Sequence, residues 1–214
     1  MTRFALAILG PAVILALTVP ALAAEEKTKM TYAEREQFIQ DFNRTGMDTT
    51  PGDAMFLRIL VAARGAKHGV EVGSFKGFGA INMGIAFERN GGRLETIEIN
   101  PATADACREN LRTVGLQDTV TCITGDALKV LPTLKGPFDF MFIDAKKSDY
   151  FRYLKAVEPR LKVGAVIVAD NSIRSARAMQ DFLDYLKESP DYEVQTIRAS
   201  MEKKDGMTVA YKIR

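Results

Sequence analysis

The chain has 214 residues, 47% of them hydrophobic and 26% charged, enough for one domain with a sizeable core. A net charge of +2 gives no support to a nucleic-acid or strongly anionic partner. One histidine, His68, and no tryptophan exclude multi-histidine zinc sites and any catalytic triad not built on His68 itself.

The chain opens with a basic residue, Arg3, then an almost wholly apolar run from Phe4 to Leu22 and a small-x-small sequence, Ala21-Leu22-Ala23. This reads as a secretory signal peptide, residues 1–23, which would leave the rest of the protein exported, periplasmic or secreted. The alternative is an uncleaved membrane anchor, because the run is nearly long enough to span a bilayer. Pro11, Pro20 and the Ala-Leu-Ala site favour cleavage. Residues 24–214 then form a single domain.

Thr31 to Asn43 predicts an amphipathic helix, with Tyr32, Phe38, Ile39 and Phe42 among charges. Thr45 to Gly52 predicts a loop. Asp53 to Arg64 predicts a second helix, with Met55, Phe56, Ile59 and Leu60 on one side. Strands are then expected at Val70–Val72, Leu94–Ile99, Val120–Thr124, Phe138–Ile143 and Ala165–Ala169. Between them lie helices at Ala80–Arg89, closed by Asn90-Gly91-Gly92, at Ala102–Val114, closed by Gly115, up to Leu131, and at Tyr150–Leu161. A last helix is expected at Ser175–Glu188. Tyr192–Ala199 and Met207–Ile213 predict a closing antiparallel pair joined through Asp205-Gly206. The whole is an α/β fold, a Rossmann-like doubly wound, mostly parallel seven-stranded sheet with a C-terminal antiparallel hairpin. Such sheets bind ligands outside the carboxyl ends of their strands, so functional residues should follow strands.

Gly73 to Gly79 (Gly-Ser-Phe-Lys-Gly-Phe-Gly) follows the first strand and precedes a helix. Its glycines either let a ligand approach the backbone or make an ordinary tight turn. The spacing is not that of dinucleotide binders. Glu98 ends the second strand, where a carboxylate can accept from ribose hydroxyls. Asp126 follows the third strand and can cap the next helix, face an adenine amino group, or both. Asp144 ends the fourth strand, and Asp170 and Asn171 end the fifth. Adjacent central strands would gather three hard oxygen ligands, a set suited to Mg²⁺. Lys147, three residues after Asp144, is a candidate general base, with a solvated surface lysine as its plain alternative. Cys107 and Cys122 have no zinc or redox spacing, and two buried free thiols are expected.

These residues, in this order, resemble the class I methyltransferases of the catechol and caffeoyl-CoA O-methyltransferase family. The resemblance runs from about Met47 to the C-terminus. It rests on Val70-Glu71-Val72-Gly73-Ser74-Phe75-Lys76-Gly77, Ile97-Glu98-Ile99-Asn100-Pro101, Gly125-Asp126-Ala127, the stretch from Phe138 to Tyr150, and Ala169-Asp170-Asn171. It implies S-adenosylmethionine held by Glu71, Gly73, Ser74, Gly79, Glu98, Asp126 and Ala127, with Met47 and Thr49 packing near it and Asp144 at its border. It implies Mg²⁺ or a similar divalent cation on Asp144, Asp170 and Asn171, and Lys147 as the base that serves a small hydroxylated aromatic acceptor. Residues 30–64 would be N-terminal helices over the cleft, core or a homodimer face. Three departures stand out: Lys146 replaces a usual acidic residue, Gly79 a common serine, and Ser172-Ile173-Arg174 a usual aromatic-glycine segment. The acceptor is therefore not carried over. Two other functions remain in view: an exported binder of S-adenosylmethionine without turnover, and a nicotinamide-dependent oxidoreductase of the same fold class. The latter lacks its glycine motif here.

Overall fold

The computed structural model describes residues 30–214, so the expected signal peptide lies outside the described residues. None of the described helices is long and apolar enough to cross a membrane.

The leading helix α1 (Tyr32–Gln40) starts at a capping box, in which Thr31 accepts from the Glu34 backbone and Glu34 reaches back to Thr31. Helix α2 (Pro51–Arg64) starts two residues before the expected Asp53. The reason is local: Thr50 caps it by accepting from the Asp53 N–H, and Pro51 suits the first helical position. The predicted face of α2 is rotated. Ala54, Leu57 and Val61 are buried, while Met55 and Ile59 are exposed. Tyr32 also turns outward, under the guanidinium groups of Arg58 and Arg89.

Strands β1 (His68–Val72), β2 (Arg93–Glu98), β3 (Val120–Thr124), β4 (Phe138–Ile143) and β5 (Leu161–Ala169) are parallel, and β6 (Tyr192–Ser200) and β7 (Asp205–Lys212) close the sheet as an antiparallel hairpin. The order is β3-β2-β1-β4-β5-β7-β6, so the topology reverses between β1 and β4. Helices α3 (Phe78–Asn90), α4 (Pro101–Thr113), α5 (Ala127–Val130), α6 (Tyr150–Val157) and α7 (Gln180–Glu188) fill the connections. Apolar layers cover both faces of the sheet. One includes Leu57, Ile81, Phe87, Phe140 and Phe142; the other includes Val70, Met141, Tyr150, Ile167 and Phe182. The unbroken apolar runs of β4 and β5 follow from this two-sided burial.

Three expected boundaries are corrected. The α6 helix ends at Val157 and tightens into a 3₁₀ turn, Glu158–Arg160, so β5 begins at Leu161 and not Ala165. The last helix begins as a 3₁₀ turn, Ala176–Met179. Asp205-Gly206 is not the hairpin joint: β7 already starts at Asp205, and the turn spans residues 201–204.

His68 is structural. It is buried at the far end of β1, 2.9 Å from Glu95 and against the Phe138 ring.

One buried charge anchors α1. Arg35 donates to the Val114 carbonyl at 2.8 Å, to the Gly115 carbonyl at 3.2 Å and to Glu88 at 2.5 Å. These bonds satisfy the C-terminal end of α4, whose last carbonyls lack helical partners. Arg35→Ala should therefore cost about 2–4 kcal/mol, measured as a shift of the urea midpoint at unchanged slope. A loss below roughly 0.5 kcal/mol, the scale of an ordinary surface change, would show that α1 is not anchored there.

Candidate functional site

A cleft of about 870 Å³ opens outside the carboxyl ends of β1, β2, β4 and β5. It is reached from the ladder itself. The Gly73 N–H donates to Ile97 O, Asp144 N–H to Val72 O, Asp170 N–H to Ile143 O and Gly125 N–H to Glu98 O, each at 2.9–3.0 Å. The strands thus end in a staircase that brings Gly73, Gly125 and Asp144 to the same crevice, with Asp170 buried just behind it. Gly73 is required where β1 meets β4. Its φ is +93°, and a Cβ there would lie 2.1 Å from the Asp144 carbonyl oxygen.

The glycine loop is strained and pinned. Phe75 has a φ of +47°, costly for a bulky side chain. Its N–H donates to Glu98 Oε2 at 2.8 Å, while Asn100 N–H donates to Glu98 Oε1 at 2.8 Å. Glu98 therefore shapes the loop and still borders the cleft with its remaining lone pairs. Asp126 accepts from the Leu128 N–H at 2.9 Å, capping α5, and it lines the cleft beside Ala127.

Met47, Thr49, Gly73, Ser74, Gly79 and Asp144 line the cleft as well, Met47 standing open at its mouth. Glu71 does not line it. It lies fully buried behind the glycine loop, at the edge formed by Thr49 and Gly79. A side chain at Gly79 would press on both, 3.1 Å from Glu71 Oε1 and 3.2 Å from Thr49 Oγ1. Glu71 Oε2 is buried with no hydrogen-bond partner. Burial, with Asp144 and Glu98 nearby, raises its carboxyl to about 8. An orphaned, reluctantly ionised carboxyl at a cleft edge fits a positively charged ligand group.

The acidic cluster comes together as the strand order demands. Ile143 pairs with Ala169, so Asp144 and Asp170 follow side by side. Asp170 is buried, and burial together with the Asp144 charge raises its carboxyl to about 7. Asn171 completes the set in a left-handed conformation, φ +59°, which asparagine tolerates better than most residues. No group of three or more His, Cys, Asp or Glu side chains able to hold a metal is found among the described residues. The third oxygen here belongs to an amide. The carboxylates of Asp144 and Asp170 and the Asn171 amide are hard oxygen donors of the kind that suit a divalent cation.

Lys147 Nζ donates to Asp144 Oδ1 at 2.8 Å and to the Tyr150 hydroxyl at 2.9 Å. Tyr150 is buried, and its hydroxyl lies 3.4 Å from the Asp170 carbonyl. This tyrosine links the lysine to the second strand end. It was the last residue of a recognised stretch, yet nothing in its spacing disclosed that link. Asp205 was also missed. It accepts from the N–H groups of Ile173, Arg174 and Gly206 and from the Asn171 amide. Although burial opposes ionisation, those donors hold its carboxyl below the usual range. Asp205 thereby fixes the segment that carries Asn171. Its signal, an acid before glycine at the start of the last strand, looked like an ordinary turn.

Comparisons with known proteins agree with this geometry. The profile described as O-methyltransferase matches residues 22–212. The chain is 35% identical to a catechol O-methyltransferase of Niastella koreensis over 139 residues, 63% of this chain and 62% of that protein, less than two thirds of its length. It is 32% identical over 190 residues to the O-methyltransferase imqG of Aspergillus flavus, covering 82% of this chain and 73% of that protein. Among solved structures it is similar to the O-methyltransferase TomG of Streptomyces achromogenes, determined in complex with SAM (S-adenosylmethionine). There the TM-score is 0.75 at 27% identity, covering 85% of this chain and 89% of that one.

Proposed function

From the premise that the chain belongs to the O-methyltransferase family, we propose that it transfers a methyl group from S-adenosylmethionine to a hydroxyl of a small, catechol-like aromatic, with a divalent cation on Asp144, Asp170 and Asn171. The observation that carries this reading is the joining of Asp144, Asp170 and Lys147 at two adjacent strand ends, with Asp144, Lys147 and Asn171 lining the cleft and Asp170 buried just behind them. Family membership sets aside the nicotinamide-dependent reading. We further propose, from the apolar Phe4–Leu22 run and its Ala-Leu-Ala end, that the domain is exported.

S-adenosylmethionine supplies an activated methyl group. Glu98 offers the carboxylate for ribose hydroxyls, Ala127 and Asp126 border the adenine end, and Glu71, buried behind Thr49 and Gly79, sets its charge behind the cationic end. What a divalent cation supplies at the acidic set is a lower pKa for a bound hydroxyl. Lys147, which donates to Asp144 as an ammonium, would first release a proton to solvent and would then take up the acceptor proton at Nζ. Tyr150 holds that Nζ in place, and the Lys147–Asp144 pair loosens as the carboxylate is engaged elsewhere. Most of the acceleration comes from alignment in a closed cleft, since the chain needs no nucleophile of its own.

Two predictions follow from these roles. In an assay with catechol and Mg²⁺, Asp170→Ala should lower turnover by at least about a hundredfold, the scale of losing a group that acts in the transition state. Its affinity for S-adenosylmethionine should stay near that of the parent. Equal loss of both would remove Asp170 from the cation site, and binding without any turnover in the parent would favour the non-catalytic binder.

Glu71 gives the second. Raised to about 8, it is mostly protonated at pH 7. A cationic ligand group beside it favours the ionised form, so binding should release a proton, and affinity should rise with pH up to about 8. Calorimetry in buffers of different ionisation enthalpy will read that proton. Glu71→Gln should bind without releasing it, and undiminished release in this variant would dismiss the assignment.

A further inference from the structure

Cys107 on α4 and Cys122 on β3 are 15 residues apart by number, yet the fold brings them together: Cys122 Sγ reaches the carbonyl of Ala104, one helical turn before Cys107 on α4. Both are buried and neither is in a disulfide. Each also touches the glycine loop. A Cβ at Gly77 would lie 2.7 Å from Cys107 Sγ, so that sulfur packs directly beneath the loop backbone. The Ser74 hydroxyl lies 3.8 Å from Cys122 Sγ, and Cys122 also reaches the Ala104 carbonyl at 3.7 Å. Nothing in the proposed methyl transfer uses either thiol.

Cys122 is reachable from outside, and Cys107 lies buried behind it. A separate cavity of about 180 Å³ is lined by Cys122 together with Arg108, Leu111, Arg112 and Thr121. It lies at β3, the edge strand of the sheet. Arg108 is fixed over it by bonds to the Cys122 carbonyl and the Thr124 hydroxyl, each 3.0 Å. We infer that Cys107 and Cys122 form a reversible dithiol site, open to small disulfides of the glutathione class through this cavity, whose oxidation is felt in the cofactor cleft through Ser74 and Gly77.

The two thiols are unequal, as exchange chemistry requires. Interaction with Cys107 pulls the Cys122 thiol below the usual range against the opposing effect of burial, while the same interaction and burial push Cys107 up, and only Cys122 lines the outer cavity. Cys122 is thus the attacking sulfur. Its thiolate attacks one sulfur of glutathione disulfide, whose S–S bond breaks and releases one glutathione thiolate. Cys107 then loses its proton and attacks Cys122 Sγ. The mixed disulfide breaks, and the second glutathione thiolate leaves. The protein dithiol gives up two electrons, glutathione disulfide takes them, and the two thiol protons end on the two glutathiones. Bonding shortens the gap between the sulfurs, so Gly77 over Cys107 and Ser74 beside Cys122 must resettle. Ser74 lines the cleft, which makes it the contact that passes the change on.

The second half of this inference rests on the reading that the cleft takes S-adenosylmethionine, and the test separates the two. The full-length folded protein is equilibrated in glutathione buffers of graded poise. Free thiols are counted by alkylation and intact mass, and S-adenosylmethionine affinity is measured on the same samples. An intramolecular bridge should form under oxidising buffer and reverse with dithiothreitol, and affinity should weaken roughly fivefold or more, the lower end of couplings between sites. Cys107→Ser should instead hold a glutathione adduct on Cys122, and Cys122→Ser should hold none. Two free thiols persisting at the oxidising end would overturn the dithiol site. A bridge with unchanged affinity would overturn its link to the cleft. If the reduced protein binds no S-adenosylmethionine, the methyl-transfer reading fails, while the bridge is still judged by thiol count alone.

Discussion

The structure depends on how closely the carboxyl ends of β1 and β4 approach each other. At that point the Gly73 backbone lies against the Asp144 carbonyl so tightly that any side chain would overlap it. This contact sits at the place where the strand order reverses, and a parallel sheet opens a crevice there. The same hydrogen-bond ladder that stabilises the sheet then sets every neighbour. Once Asp144 is bonded to Val72 and Asp170 to Ile143, the two carboxylates have no freedom to separate. Stability and site geometry come from one set of bonds, which is why a crevice of this precision can be built on strand ends and needs no long loops.

That convergence carries an electrostatic cost. Burial and mutual repulsion raise both Glu71 and Asp170 well above ordinary carboxylates, and only Asp144 receives a lysine. A domain selected for stability alone would not place three acids around one cleft. The cost has a direction, however. Every ligand group that relieves it is cationic, whether a divalent ion on the Asp144–Asp170 side or a charged cofactor end on the Glu71 side. The proposed reaction asks for both. An excess of buried negative charge before binding is a form of preorganisation, because the groups are already placed and need no reorganisation when the charge arrives.

Much of this was legible in the residues. Glycines at 91, 92 and 115 marked helix ends, and the continuous apolar runs of β4 and β5 marked central strands. Because side chains just past central strands converge, the acidic cluster was legible as well. What failed was set by distant contacts. The start of β5 was hidden because Val163 is exposed and Gly164 has a positive φ, a pair that resembles a loop, and because the pairing with β4 shifts register between Phe138 and Phe140. The face of α2 was misjudged because Met55 and Ile59 are apolar yet outward, and apolar type alone does not fix burial. Tyr150 and Asp205 act across 20 or more residues, by contacts that no local period encodes.

The wall of the cleft after β5 follows a different logic from the rest. The wall after β5 is tied to β7: Ser172 donates to Ala169 O and accepts from Thr208 N–H, and Asp205 gathers the backbone of residues 173 and 174. The turn between β6 and β7 then reaches across to the segment before α2, where Lys203 Nζ donates to the Asp48 carbonyl at 2.9 Å and Arg44 pairs with Glu202 at 3.7 Å. The two extremes of the described chain thus meet over the cleft, away from the strand ends that carry the acids. Arg174 and Lys203 stand on that wall. Asp144 and Asp170 are held by the sheet ladder, whereas this wall is held by contacts among β7, the segment after β5 and the segment before α2, so the two sides of the cleft rest on separate parts of the fold and one can change without moving the other.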